Sequence, residues 1–172
     1  MSRVWTQAQR TDTLVAGLVA AAVSGVPSTA WSLARGADVL EGARAAGSLL
    51  LPGEQRTERL LVAAVPVHLT LSLGWAAVLG AVLPERREPL YGTLAGLAIA
   101  GLDLGVVGRR IPAIRDLDQA PQWLDHAAYG LAVGTVLRLR RRLGRGSSVC
   151  ARRHSRWSRG ANHGSGGRWF GA

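Results

Sequence analysis

The chain has 172 residues, 48% of them hydrophobic and only 19% charged. Its 21 basic residues are all arginine and stand against 11 acids, a formal net charge of +10. One domain is the size that this length allows; the hydrophobicity excludes a wholly disordered chain, and the single Cys150 excludes a disulfide scaffold. The absence of lysine fits a GC-rich coding bias, so the choice of arginine carries no functional weight by itself.

The gaps between charges organise the chain. Residues 13–34 carry no charge, nor do residues 60–84; 89–102 are charge-free up to Asp103, and 126–137 form a fourth uncharged run. A bilayer core about 30 Å thick needs about 20 mostly apolar residues in a helix. The runs are apolar all round, without the charged face of a soluble amphipathic helix. They predict an all-α fold, a bundle of four transmembrane helices over 12–33, 58–83, 89–108 and 121–139, forming a membrane domain of residues 1–143.

In the first segment Pro27 is expected near the end. Its Arg3 and Arg10, the apolar run from Leu14 and the triplet Ser28-Thr29-Ala30 also resemble a secretory signal with a small-residue cleavage site. The first loop holds Asp38 with Glu41 three residues on, close to a capping box. That spacing predicts a short amphipathic helix at the membrane interface, or a re-entrant segment covered by protein. Arg44 on it is placed to reach lipid headgroups.

Thr57 and Glu58 open the second segment and Pro84 closes it. Trp75, deep within it, is expected to pack inside. Pro89 suits the first turn of the third segment, which Arg109, Arg110 and Pro112 end. Pro121 begins the fourth, with Trp123 as an interfacial anchor. Arg138, Arg140, Arg141 and Arg142 end it, and are read as contacts to anionic lipid headgroups. From Gly144 to Ala172 arginine is strewn among glycine, serine and a few aromatics, which predicts a disordered tail; nucleic-acid binding by its arginines and aromatics is the weaker reading.

Basic residues near the membrane favour the cytoplasmic side. Arg3, Arg10, Arg86, Arg87 and the tail therefore place both termini in the cytoplasm of a bacterial inner membrane. The first loop opposes its four arginines with Asp38, Glu41, Glu54 and Glu58.

Small residues recur at four-residue spacing: Gly17, Ala21 and Gly25; Gly92, Gly96 and Ala100; Gly101 and Gly105; Gly130 and Gly134. Such faces let helix backbones approach closely in lipid. Packing within one chain is the first reading, with a face left for a homo-oligomer or a larger membrane partner.

Polar residues at membrane depth are the candidates for chemistry, because they are costly there. His68 lies about 4 Å and Asp103 about 6 Å from the middle of their segments, at 1.5 Å per residue. The segments run antiparallel, so both offsets point to the extracytoplasmic half. Ser28, Thr29, Asp125 and His126 fall in the same half, and Ser72 shares a helix face with His68. These seven are expected to converge on one intramembrane polar pocket, with His68 and Asp103 as a pair that exchanges a proton. Structural hydrogen bonding between helices is the competing role. His68, His126 and a carboxylate have the chemistry of a divalent-metal site, but no tight ligand motif accompanies them, and no metal or cofactor is expected.

No phosphate loop, HExxH or CxxC is present and Ser72 has no base pattern, so no catalytic residue is assigned and an enzyme is not favoured. The segments Gly25-Val26-Pro27-Ser28-Thr29, Arg44-Ala45-Ala46-Gly47, His68 to Trp75, Asp103-Leu104-Gly105 and Ala120 to His126 resemble small uncharacterised four-helix membrane proteins of actinobacteria. The resemblance spans residues 14–139 and implies no known reaction. Two functions are expected from the residues: a small transport or permeation component built on the His/Asp pair, or a non-transporting accessory or scaffold protein that packs against a membrane partner.

Overall fold

A computed structural model of the chain describes residues 5–161, with side chains up to 144. The described residues are helical throughout, with no strand. The helices are α1 (Gln7–Val23), α2 (Val26–Arg35), α3 (Glu41–Gly47), α4 (Thr57–Val82), α5 (Glu88–Leu102), α6 (Pro112–Arg115) and α7 (Gln119–Ala161). The chain divides into two compact units, Met1–Arg138 and Leu139–Ala172. The first contains everything described below except the end of α7.

Three segments, Gln7–Arg35, Thr57–Val82 and Glu88–Arg110, are long and apolar enough to cross a membrane. Their outer faces are unpartnered apolar surface: Val62 is 73% exposed and Leu33 68%. A soluble monomer rarely carries continuous surface of that kind. α7 does not join the three among the described residues, because Gln119, Gln122, Asp125 and His126 crowd its first turns. The sequence-based count of four spans is therefore three by length and composition.

The first segment starts earlier than expected and is broken. A capping box starts it: Thr6 Oγ1 accepts the Gln9 N–H at 3.2 Å and Gln9 Oε1 accepts the Thr6 N–H at 2.9 Å. This satisfies two N–H groups that a bare helix end leaves open. α1 ends at Val23, and a turn at Ser24-Gly25 separates it from α2, with Pro27 in the first turn of α2. Proline lacks an N–H and sets φ for a helix start, so it begins a new helix here instead of ending the old one.

α5 also changes within its length. After Leu102 the chain forms one wide π turn, Asp103–Val107, then a tight 3₁₀ turn, Gly108–Arg110. The Gly108 N–H donates to the carbonyl of Asp103, five residues back. The third expected span, 89–108, thus becomes α-helix only as far as Leu102.

The first loop folds against the bundle. α3 packs on α4, and Gly47 lies so close to Leu60 that a side chain there would strike the Leu60 carbonyl. Asp38 accepts the Leu40 N–H at 2.8 Å and pairs with Arg44 at 2.6 Å. Arg44 is therefore engaged within the loop, where the sequence reading sent it to headgroups. The Leu40 N–H, and Arg44 beside it, hold the Asp38 carboxyl below its usual range.

α7 runs past the expected end at residue 139 to Ala161, where irregular chain was expected from Gly144. Arginine favours helix and is frequent over this stretch. Residues 162–172 of the expected tail lie outside the described residues. Arg142 is exposed, while Arg138, Arg140 and Arg141 are half-buried.

The core sits at one end of the first unit. Ala16 and Ala20 of α1, Ala76 and Leu79 of α4, Ile99 of α5 and Tyr129, Val133 and Leu137 of α7 form one buried cluster. Glycine packing joins α5 to α7: a side chain on Gly92 would strike the Gly130 carbonyl, one on Gly96 the His126 carbonyl, and one on Gly134 the Glu88 carbonyl. The Gly92/Gly96 and Gly130/Gly134 faces thus meet within one chain. Close backbone contact of this kind drives helix association in lipid.

Candidate functional site: a polar cavity

The other end of the unit is open. A cavity of about 820 Å³ lies among the end of α1, α2, α3, the first half of α4, the end of α5 and the first half of α7. All seven residues placed in the extracytoplasmic half by sequence depth line it: Ser28, Thr29, His68, Ser72, Asp103, Asp125 and His126.

The pairing within it differs from the sequence reading. Asp103 opens the π turn, and the partner across from it is His126 of α7, with Nε2 at 3.5 Å from Oδ2. Trp75 Nε1–H of α4 donates to the same oxygen at 3.3 Å. His68 instead meets the Ala21 carbonyl through Nε2 at 2.9 Å. A carbonyl only accepts, so this nitrogen carries a hydrogen. His68 therefore ties α4 to α1, and no direct bond joins it to Asp103.

The tautomer of His126 follows in the same way. Its Nδ1 lies 2.8 Å from the Gln122 carbonyl, one turn back on α7, so Nδ1 donates. Nε2 faces Asp103 at 3.5 Å, where a proton held between them would give imidazolium with carboxylate, or imidazole with carboxylic acid. The hydrogen on Nδ1 is the same in both, so the proton changes sides without a ring flip.

Asp125 closes the break between α1 and α2. Its Oδ1 accepts the Ser28 N–H at 2.8 Å. Helix starts leave such N–H groups without a partner, and a carboxylate there is favoured by the helix dipole. Thr29 Oγ1 and Ser28 Oγ donate to the Gly25 carbonyl at 2.7 and 3.2 Å, which fastens the break from the other side. Ser72 contributes its backbone: the Tyr129 hydroxyl donates to the Ser72 carbonyl.

Several further residues line the cavity that the sequence does not mark as part of a polar site. Trp31 of α2 donates Nε1–H to Asp118 Oδ2 at 2.9 Å, and the Arg35 guanidinium lies 4.4 Å from the Trp31 ring centre. Glu41, Gly42 and Ala46 of α3 form part of the wall. Trp75 was expected to pack inside, and its hydrogen bond to Asp103 could have been sought from its position one turn beyond Ser72. Among the described residues no group of three or more His, Cys, Asp or Glu side chains is gathered to hold a metal ion.

No protein-family model, curated protein or solved structure matches this chain.

Proposed function

We propose that the chain is a small transport or permeation component of a bacterial inner membrane, with the cavity as its binding site and Asp103–His126 as its proton-carrying pair. The observation that supports this most is Asp103 itself. It is an ionisable residue on an apolar segment, it opens a π turn, and it contacts side chains of two other helices. π turns cluster at functional positions, and ionisable residues in spanning helices mark proton and substrate paths.

In this reading α7 supplies the fourth span over 121–139. The Asp103–His126 pair offsets the polarity of its first turns, and the cavity faces the extracytoplasmic side. Both termini are cytoplasmic, and the arginines from Arg138 onward touch anionic headgroups. The resemblance to actinobacterial four-helix membrane proteins fits this topology. In this conformation solute enters from one side only, because the opposite end of the bundle is closed by the glycine-packed core, and passage across requires that end to open.

The test is proton flux into proteoliposomes carrying a pH-sensitive dye, driven by a potassium diffusion potential. Wild-type protein should exceed protein-free vesicles, Asp103→Asn and His126→Ala should return flux to background, and His68→Ala should keep most of it. Wild-type flux in folded Asp103→Asn and His126→Ala protein would defeat the proposal.

A further inference from the structure

We propose that the cavity takes a small organic cation, an ammonium group on an apolar body; this rests on the binding role just proposed for the same site. Four carboxylates line the cavity, Glu41, Asp103, Asp118 and Asp125, against one guanidinium, Arg35. Asp103 faces His126, and with that histidine protonated the pair is neutral overall. Arg35 offsets one further charge. The remaining carboxylates leave the site negative, even with His68 also protonated.

Asp118 and Asp125 are held by neutral donors. Asp118 accepts the Trp31 indole N–H and the Ala120 N–H, and Asp125 accepts the Ser28 N–H. Neither has an arginine within ion-pair distance among the described residues. The positively charged groups facing them are the His68 and His126 imidazoles, when protonated, and Arg35 near Trp31.

The aromatic lining points the same way. The polar edges of Trp31, Trp75 and Tyr129 are already spent on Asp118, Asp103 and the Ser72 carbonyl. Tyr129 is buried in the core, so the π surfaces still offered are those of the half-buried Trp31 and Trp75, and such surfaces attract cations. Arg35 over Trp31 is an example within the same wall. The feature that would recruit an anion is the positive end of α2, and Asp125 already occupies it. An apolar body finds Leu61, Val65 and Ile99 in the lining.

The experiment is equilibrium binding to the full chain in lipid nanodiscs with three probes of similar size: benzyltrimethylammonium, benzyl alcohol and benzoate. The cation should bind about tenfold tighter than either other probe. Asp125→Asn and Asp118→Asn keep acceptor oxygens for their N–H partners, so each should fold and weaken the cation about tenfold while leaving benzyl alcohol unchanged. Tighter binding of benzoate or benzyl alcohol would overturn the cation assignment and leave the binding role of the cavity standing. Cation binding unaffected by both substitutions would also overturn it. Failure of all three probes would remove the cavity as a binding site for solutes of this size, and the binding role with it.

Discussion

The two ends of the first unit are built from the same four long segments and differ in what the segments present to each other. At one end the contacts are glycine and alanine: Gly92 and Gly96 against α7, Gly130 and Gly134 against α5, Ala16 and Ala20 beside Ala76. Backbones touch, and the polar side chains of Glu88 and Thr13 are buried beside them. At the other end the segments are interrupted, by the turn before α2 and the π turn after Leu102. Each interruption carries a carboxylate contact: Asp125 takes the Ser28 N–H, and Asp103 receives Trp75 and His126. Tight packing follows from small residues on unbroken helices. A polar cavity follows where the helices break: at the first break a side chain satisfies a freed N–H, and at the second a carboxylate draws in two polar side chains.

The largest effect should come from attacking the packed end. Gly92→Val drives a branched side chain into the Gly130 carbonyl, and overpacking against backbone is expected to cost about 3 kcal/mol or more. Thermal unfolding in detergent should show it. Gly74 of α4 has open space around it, so Gly74→Ala should be neutral or stabilise by up to about 1 kcal/mol. Equal damage from both would mean that the glycine contacts are not what closes this end.

At the polar end function and stability should separate. Asp103→Asn still offers an oxygen to Trp75, so stability should change by no more than about 1 kcal/mol while proton flux is lost. Trp75→Phe removes one interhelical donor and should cost about 0.6 kcal/mol, read from the same melts. A loss of several kcal/mol from either would make Asp103 structural.

The smallest effect belongs to the first loop. Asp38 is held below its usual range chiefly by the Leu40 N–H, and Glu54 chiefly by the Arg56 N–H, with Arg44 and Arg59 adding to each. A lowered carboxylate contributes stability above its ordinary pKa and loses it as pH falls through the lowered value. Amide exchange of α3 should therefore rise slightly in acid below the usual carboxylate range. No change there, or loosening toward alkaline pH, would contradict the sign.

Much of this comparison was readable in the sequence. Charge gaps, Thr57 and Pro84 placed α4 within a residue at each end, since proline and charge both end an apolar helix. The spacings Gly92/Gly96 and Gly130/Gly134 identified faces that meet, whereas Gly25 and Gly105 have open space around them. Depth along the axis, counted at 1.5 Å per residue, selected residues that line one cavity. Depth says nothing about direction around the axis, which is why His126 and not His68 stands across from Asp103. The π turn is invisible to a periodicity of 3.6. The role of Pro27 was ambiguous because proline both ends one helix and starts another. Trp31 and Asp118 are 87 residues apart, and no local pattern links them.

The central claim is that one end of the bundle is wet and the other dry. Its most direct measurement is cysteine accessibility in intact cells, in a Cys150→Ser background, with a charged methanethiosulfonate that does not cross membranes. His68→Cys and Ser28→Cys line the cavity, while Ala20→Cys and Ala76→Cys lie in the packed core. Reaction from the extracytoplasmic side at His68→Cys and Ser28→Cys, and none at Ala20→Cys or Ala76→Cys, is the predicted result. Reaction at the core positions, or none at the cavity positions, would contradict it.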